Sequence, residues 1–342
     1  SDVDGVNGSG SEYGGVINLP IAEDVFGIRI GFLREKDPGY GRVATQPEIK
    51  NPLGWDRDSL RVKAFWQVTE NFDIEATHSE GETSYGILPG TQILTSTGGE
   101  KILSPVEVQM LLDVNPDGQL KNRIETSWTT LLMNFDLSFA TLTSSTGFVD
   151  SPRKEANSEF IFDIGLGPQK QGVISNQPTE TLTQEFRLVS TSDSALQWVA
   201  GLYYMDAESD SETFSEIPDF FIYIHTAGPQ FGEATAAYGE VEWAFNDQWT
   251  LQAGLRYHTE DREQRAVEDI GFIGVDDPFG PWSFPGVETT EKNDWDYTNY
   301  RLGLTWRPND NGMIYLTNSL VNRAPILLDQ ASRTALEGAG LN

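Results

Sequence analysis

The chain has 342 residues, with 23 Lys+Arg against 52 Asp+Glu for a formal charge of −29, 38% hydrophobic and 11% aromatic residues, and no cysteine. So acidic a surface would repel a phosphate backbone, which excludes nucleic-acid binding, and the missing thiols exclude disulfide frameworks, thiolate metal sites and Cys nucleophiles. With 18 Phe, 11 Tyr and 9 Trp the chain is too aromatic for an acidic disordered polymer, so it folds.

No apolar run approaches the ~18 residues of a transmembrane helix. The opening Ser1-Asp2-Val3-Asp4-Gly5 has neither Met nor an apolar leader and reads as a processed or excised end, with residues 1–11 a remnant of an upstream loop. From Glu12 onward the apolar residues recur with period two, the mark of strands with one apolar and one polar face. Leu60, Val62, Ala64, Trp66 and Val68 alternate with Arg61, Lys63, Phe65 and Gln67. Leu251, Ala253, Leu255 and Tyr257 alternate with Gln252, Gly254, Arg256 and His258.

Six hairpins are predicted, at about Glu12 to Glu35, Ser59 to Glu80, Asn122 to Phe148, Glu180 to Asp206, Glu233 to Glu260 and Trp295 to Val321. Short polar turns close them, at Ala22-Glu23-Asp24, Glu70-Asn71, Asn134-Phe135-Asp136, Ser190 to Ser194, Asn246-Asp247 and Pro308 to Asn311. Long acidic segments rich in Gly and Pro join one hairpin to the next: Asp37 to Asp58, Glu82 to Lys121, Ser145 to Thr179, Ala207 to Phe231 and Asp261 to Asp294. Short and long connections alternate throughout. That asymmetry fits an all-β, antiparallel transmembrane β-barrel, with short periplasmic turns, long extracellular loops, an apolar outside and a polar lumen. Trp66, Phe72, Phe135, Trp198, Phe245, Trp249 and Trp306 fall near the short turns, where an interfacial aromatic girdle belongs.

The hairpin phrases resemble the barrel of TonB-dependent outer-membrane receptors. The resemblance is carried by Gly15-Val16-Ile17-Asn18-Leu19-Pro20 through Arg29 with Asp37-Pro38-Gly39-Tyr40, by Thr183-Gln184-Glu185-Phe186-Arg187-Leu188 with Trp198 to Tyr204, and by Ala237-Tyr238-Gly239-Glu240-Val241 with Leu251 to Tyr257. It implies about 12 strands, residues 12–342, of a barrel that has 22 in the family, with the plug and the C-terminal strands missing. It further implies TonB-energised uptake of a large nutrient, such as a ferric siderophore, haem, cobalamin or an oligosaccharide, in the outer membrane of a Gram-negative bacterium. The partners implied are TonB through the plug region, the nutrient and outer-membrane lipid. No cofactor and no enzymatic step are implied. Two other functions fit the residues alone: a passive outer-membrane porin, and a soluble β-rich carbohydrate-active protein.

Catalytic and metal-binding constellations are weak. Asp113-Val114-Asn115-Pro116-Asp117-Gly118 opens like a calcium loop, but Ile124 stands where the closing carboxylate belongs, so a capped turn is the better reading. The helix expected before it runs from Pro105 to Leu112. His78, His225 and His258 sit on separate hairpins and read as structural or solvated. Arg29, Arg61, Lys63, Glu75, Glu185, Arg187, Glu240, Glu242, Arg256 and Arg301 fall opposite the apolar face and are expected to line the lumen as paired, solvated charges. The candidate ligand-binding residues are two aromatic clusters in the long segments: Phe220, Phe221 and Tyr223, and Phe279, Trp282 and Phe284.

Overall fold

The computed structural model describes residues 10–39, 42–43, 46–50, 54–86, 121–163, 168–191, 194–217, 222–272, 284–309 and 311–323, and every regular element among them is a strand. The first six are β1 (Ser11–Ala22), β2 (Phe26–Asp37), β3 (Arg42–Val43), β4 (Gln46–Lys50), β5 (Trp55–Thr69) and β6 (Phe72–Gly86). Next come β7 (Lys121–Leu137), β8 (Ala140–Asp150), β9 (Arg153–Asp163), β10 (Pro168–Asn176), β11 (Thr179–Ser190) and β12 (Leu196–Ser209). The last are β13 (Glu212–Ile217), β14 (Ile222–Ala227), β15 (Gln230–Ala244), β16 (Trp249–Phe272), β17 (Phe284–Asn309) and β18 (Gly312–Leu320).

Twelve of these pair antiparallel in the order β1-β2-β5-β6-β7-β8-β11-β12-β15-β16-β17-β18, the six expected hairpins laid side by side. The sheet keeps two edges: β1 pairs only with β2, and β18 only with β17, among the described residues. Short polar side chains shape the short turns. Asn246 Oδ1 accepts from the backbone N–H groups of Gln248 and Trp249, each at 2.9 Å, and Asn309 Oδ1 accepts from that of Asn311 at 3.0 Å. Asp24 takes a positive φ of 55° in the first turn, a conformation that Asp tolerates better than most residues.

The third short turn lies later than expected. β7 runs through Leu137, so Asn134 and Asp136 are strand residues and not turn residues. Their polarity has another cause: Asn134 donates to Asp73 Oδ1 at 3.0 Å and accepts from Thr143 at 2.9 Å, while Asp136 accepts from Thr141 at 2.7 Å. Cross-strand hydrogen bonding on the polar face mimics the composition of a turn.

The long segments also carry more structure than their composition suggests. β9, β10, β13 and β14 continue β8, β11, β12 and β15 beyond two-residue interruptions at Ser151-Pro152, Gln177-Pro178, Asp210-Ser211 and Gly228-Pro229. This upper wall joins β16 through β14 and touches β7 through β9. The ladder survives each proline, because proline lacks only the donor: the carbonyls of Pro152, Pro178 and Pro229 accept from the N–H groups of Glu125, Asp210 and Arg265 at 3.1, 3.0 and 2.9 Å. β16 and β17, with 24 and 26 residues, far exceed the roughly 9–11 residues of a membrane-crossing strand. The helix expected at Pro105 to Leu112 and the Asp113-Asn115-Asp117 loop lie outside the described residues.

Candidate functional site

In antiparallel pairs, directly opposed residues share a face of the sheet. The registers therefore test where the wall charges go. Arg29 opposes Lys63, and Arg61, two residues along β5, shares their face. Glu75 connects through Leu132 and Ser145 to Glu185 and on to Tyr203. Arg187 connects through Gly201 and Tyr238 to Arg256. Glu240 connects through Gly254 to Arg301, and Glu242 opposes Gln252. All ten predicted wall charges thus fall on one face. The other face carries exposed Phe32, Leu60, Trp66, Phe186, Leu202, Trp243, Leu255 and Leu302.

The charged face is also partnered, as a polar wall must be. Lys63 Nζ meets Glu75 at 2.7 Å, Gln252 donates to Glu242 at 2.7 Å, and the Arg61 guanidinium lies 5.2 Å from the Trp128 ring centroid. Its densest part is a column of aromatic rings and guanidinium groups on β12, β15, β16 and β17. Arg256 stands 5.5 Å from the ring centroids of both Tyr203 and Tyr238. The Tyr238 hydroxyl donates to Glu185 at 2.7 Å, and its ring lies over Gly201 so closely that a Cβ there would come within 2.4 Å of Tyr238 Cζ. Gly201 is a packing requirement for that ring.

Farther along β16 the pattern repeats. His258 stacks on Tyr297 with centroids 4.8 Å apart, and Arg262 lies 5.9 Å from the Trp295 ring. Between them Glu260, only 8% exposed, accepts from Arg262 Nε at 2.5 Å and lies 3.4 Å from His258 Nε2. Its two cationic or donor neighbours make burial of the carboxylate tolerable. The arrangement offers a bulky guest flat π faces and guanidinium edges on a rigid sheet. Sequence reading placed Arg256 on this face but not its aromatic partners. The signal that carries the column is the parity of Arg256, His258, Glu260 and Arg262 on β16, matched by Trp295, Tyr297 and Asn299 on β17.

Of the six candidate ligand-binding residues, Phe220, Phe221, Phe279 and Trp282 lie outside the described residues. The backbones of the other two are placed: Tyr223 opposes Gly271, and Phe284 opposes Ile270, so these two positions flank β16 on its two sides. The histidines stay apart, as expected from their separate hairpins. His78 contacts Thr129 and Glu80, His225 contacts Glu212, and His258 contacts Glu260. Among the described residues no three His, Asp or Glu side chains converge as metal ligands. Aromatic pairs mark the short-turn end, with Phe72 and Phe135 at 5.7 Å, Trp243 and Phe245 at 5.6 Å, and stacked Trp249 and Trp306 at 5.6 Å.

Comparisons place this architecture. The family model described as TonB dependent receptor-like, beta-barrel matches residues 66–341. A comparison by sequence with curated proteins gave no match. Among solved structures, the chain is similar to the ferric yersiniabactin uptake receptor FyuA from Yersinia pestis, with a TM-score of 0.67 at 15% identity, over 90% of this chain and 45% of that one. The siderophore receptor PiuA from Acinetobacter baumannii gives 0.59 at 15% identity over 90% and 46%, and the ferric-catecholate import receptor Fiu from E. coli K12, in its open form, gives 0.58 at 12% over 94% and 56%. The chain thus spans about half the length of these receptors, and at such identities the likeness establishes the fold. With most of its length matched by the family model, the chain belongs to the TonB-dependent receptor β-barrel family.

Proposed function

We propose that this chain is barrel wall of an outer-membrane receptor of a Gram-negative bacterium that takes up a large nutrient, a ferric siderophore being the best fit, with energy relayed by TonB. The observation that carries the reading is the segregation of the sheet into an apolar face and a charged, hydrogen-bonded face, in a chain of this family. Support for the ligand class comes from the wall itself, where Arg256 and Arg262 stand against Tyr203, Tyr238 and Trp295, groups that suit an anionic, aromatic-bearing guest. The similar structures are receptors for ferric yersiniabactin and ferric catecholates, which points the same way. No covalent chemistry is needed. The barrel supplies a rigid, polar wall, and the aromatic residues of the long segments, Phe220, Phe221, Tyr223, Phe279, Trp282 and Phe284, are proposed to supply the capture surface.

Uptake of labelled ferric siderophores into cells expressing the protein tests the proposal. Uptake is expected to stop when TonB is removed or the proton gradient is collapsed. The triple variant Phe221→Ala, Tyr223→Ala, Trp282→Ala is expected to raise the concentration for half-maximal uptake while leaving the amount of barrel in the outer membrane unchanged. Uptake that ignores both TonB and the gradient would instead make the protein a passive pore.

A further inference from the structure

The chain carries 52 acidic residues against 23 basic ones, so an arginine without a carboxylate beside it needs a reason. Arg34 pairs with Asp58 at 3.4 Å, Lys63 with Glu75 at 2.7 Å, Arg123 with Glu82 at 2.7 Å, and Arg265 with Glu263 at 2.6 Å. Among the described residues, Arg187, Arg256 and Arg301 on the inner face have no ion-pair partner. The registers gather these three. Arg187, Gly201, Tyr238 and Arg256 are opposed in turn across β11, β12, β15 and β16, and Arg301 stands two residues from Asn299, the β17 partner of Arg256. Arg256 and Arg301 are therefore diagonal neighbours, about 7–8 Å apart at the backbone. Guanidinium groups so placed repel unless an anion sits between them.

The acids that could neutralise them are held elsewhere. Glu185, two residues from Arg187, accepts from the Tyr238 hydroxyl at 2.7 Å, and Glu242 accepts from Gln252 at 2.7 Å. Glu240 leans over Gly254, where a Cβ would stand 3.4 Å from its Oε2, and it reaches no arginine within ion-pair distance. Neutral donors thus occupy Glu185 and Glu242, and the guanidinium N–H groups keep their capacity for an incoming anion. Arg256 adds flat faces, with the Tyr203 and Tyr238 centroids each 5.5 Å away. Farther along β16 the balance differs, because Arg262 is already bonded to Glu260. Depth separates the group from the long segments as well. Arg256 lies seven residues along β16 from Trp249, and Arg301 five residues along β17 from Trp306, the stacked pair at the short-turn end. Both fall within the roughly 9–11 residues that a strand needs to cross a bilayer.

We propose that Arg187, Arg256 and Arg301, with Tyr203 and Tyr238, form a binding site for a flat organic anion part-way down the inner wall, which the cargo meets after capture by the long segments. The proposal rests on the reading of the chain as receptor wall. Within the site Tyr238 is a positioning residue, because its hydroxyl holds Glu185 away from the arginines. The test titrates the purified protein in detergent with salicylate, a planar carboxylate, by equilibrium dialysis, each variant first matched to the parent in yield of folded barrel. Saturable binding is expected, and uncharged salicylamide is expected to bind about tenfold more weakly, the worth of one charge-assisted hydrogen bond. Arg256→Gln with Arg301→Gln should lose at least as much. Tyr238→Phe keeps the ring but releases Glu185 to the arginines, so it should weaken salicylate binding, and adding Glu185→Gln should restore it. Equal binding of acid and amide overturns the proposal, as does parental affinity in the double arginine variant. A Tyr238→Phe protein that binds like the parent, or a defect that Glu185→Gln leaves in place, overturns it too. In cells, the double arginine variant is expected to lower the maximal rate of ferric-siderophore uptake more than the concentration for half-maximal uptake changes. An unchanged maximal rate would show that cargo bypasses the site. Entry of vancomycin through that variant would show instead that the arginines anchor a segment of the protein itself. Uptake that ignores TonB would overturn the receptor reading while leaving salicylate binding intact, so the two failures are told apart.

Discussion

The two faces of this sheet solve opposite problems with the same strands. On the outward face of β16, Leu255 is 58% exposed with no partner to hide it, while on the other face Arg256, one residue on, lies between two tyrosine rings. The outward face is simple, a row of apolar groups whose only requirement is a solvent that accepts them. The inner face is a network in which Glu185, Tyr238 and Arg256 depend on one another. Damage should therefore be local and additive outside, and coupled inside.

The largest effect tests the outward face. Leu255→Arg is expected to destabilise the barrel in lipid by about 2–4 kcal/mol, the cost of a guanidinium near the bilayer midplane. Gln252→Arg, three residues away on the inner face beside Glu242, is expected to cost little. Reversible denaturant titrations in phospholipid vesicles compare the two, and equal costs would erase the distinction between the faces.

A smaller effect probes coupling within the inner face. Gly201→Ala forces Tyr238 off its seat and is expected to cost about 1–3 kcal/mol, the usual range for overpacking. Adding Tyr238→Ala removes the clash, so the double variant should be destabilised by less than the sum of the singles. A strictly additive result would mean that the ring moves aside freely.

The smallest effect concerns the outward face toward the long-segment end of β16. Two residues beyond Asp261, Glu263 accepts from Lys292 and from Arg265, the latter at 2.6 Å, and these hydrogen bonds hold its carboxyl below the usual glutamate range. A carboxyl with a lowered folded-state pKa stabilises the fold above its unfolded value, and that contribution fades as pH falls through the folded value. Glu263→Gln should therefore match the parent in strong acid and be slightly less stable near neutrality, the difference opening across the acidic carboxylate range. Stability measured for both proteins from pH 3 to pH 7 checks the sign; a difference that shrinks toward neutrality contradicts it.

The hairpins were legible because a face in contact with lipid demands strict alternation, and Leu251 to Tyr257 or Leu60 to Val68 satisfy it residue by residue. Alternation weakens where neither face meets lipid. β9, β10, β13 and β14 accordingly have the composition of loops, their strands held by backbone ladders that no side-chain period announces. Asn134 and Asp136 misled for a related reason, since polarity used across strands looks the same as polarity used in a turn. The wall charges could be assigned to a face from parity alone. The rings that stack on them could not, because Trp295 and Tyr297 meet Arg262 and His258 in a register that the connection between β16 and β17 does not announce, and Tyr203 reaches Arg256 across the intervening β15.

The two edges of the sheet, as the described residues form it, carry a rule of arithmetic. β1 runs toward the short-turn end, whereas β18 runs away from it, so the outermost strands point in opposite directions. An antiparallel cylinder can close between such edges only by direct seam pairing or by inserting strands two at a time, since an odd insertion would leave one parallel seam. Any closed assembly built on this wall by antiparallel pairing alone therefore has an even strand count, whatever its diameter. Strand direction at the margins thus determines the parity of the whole barrel.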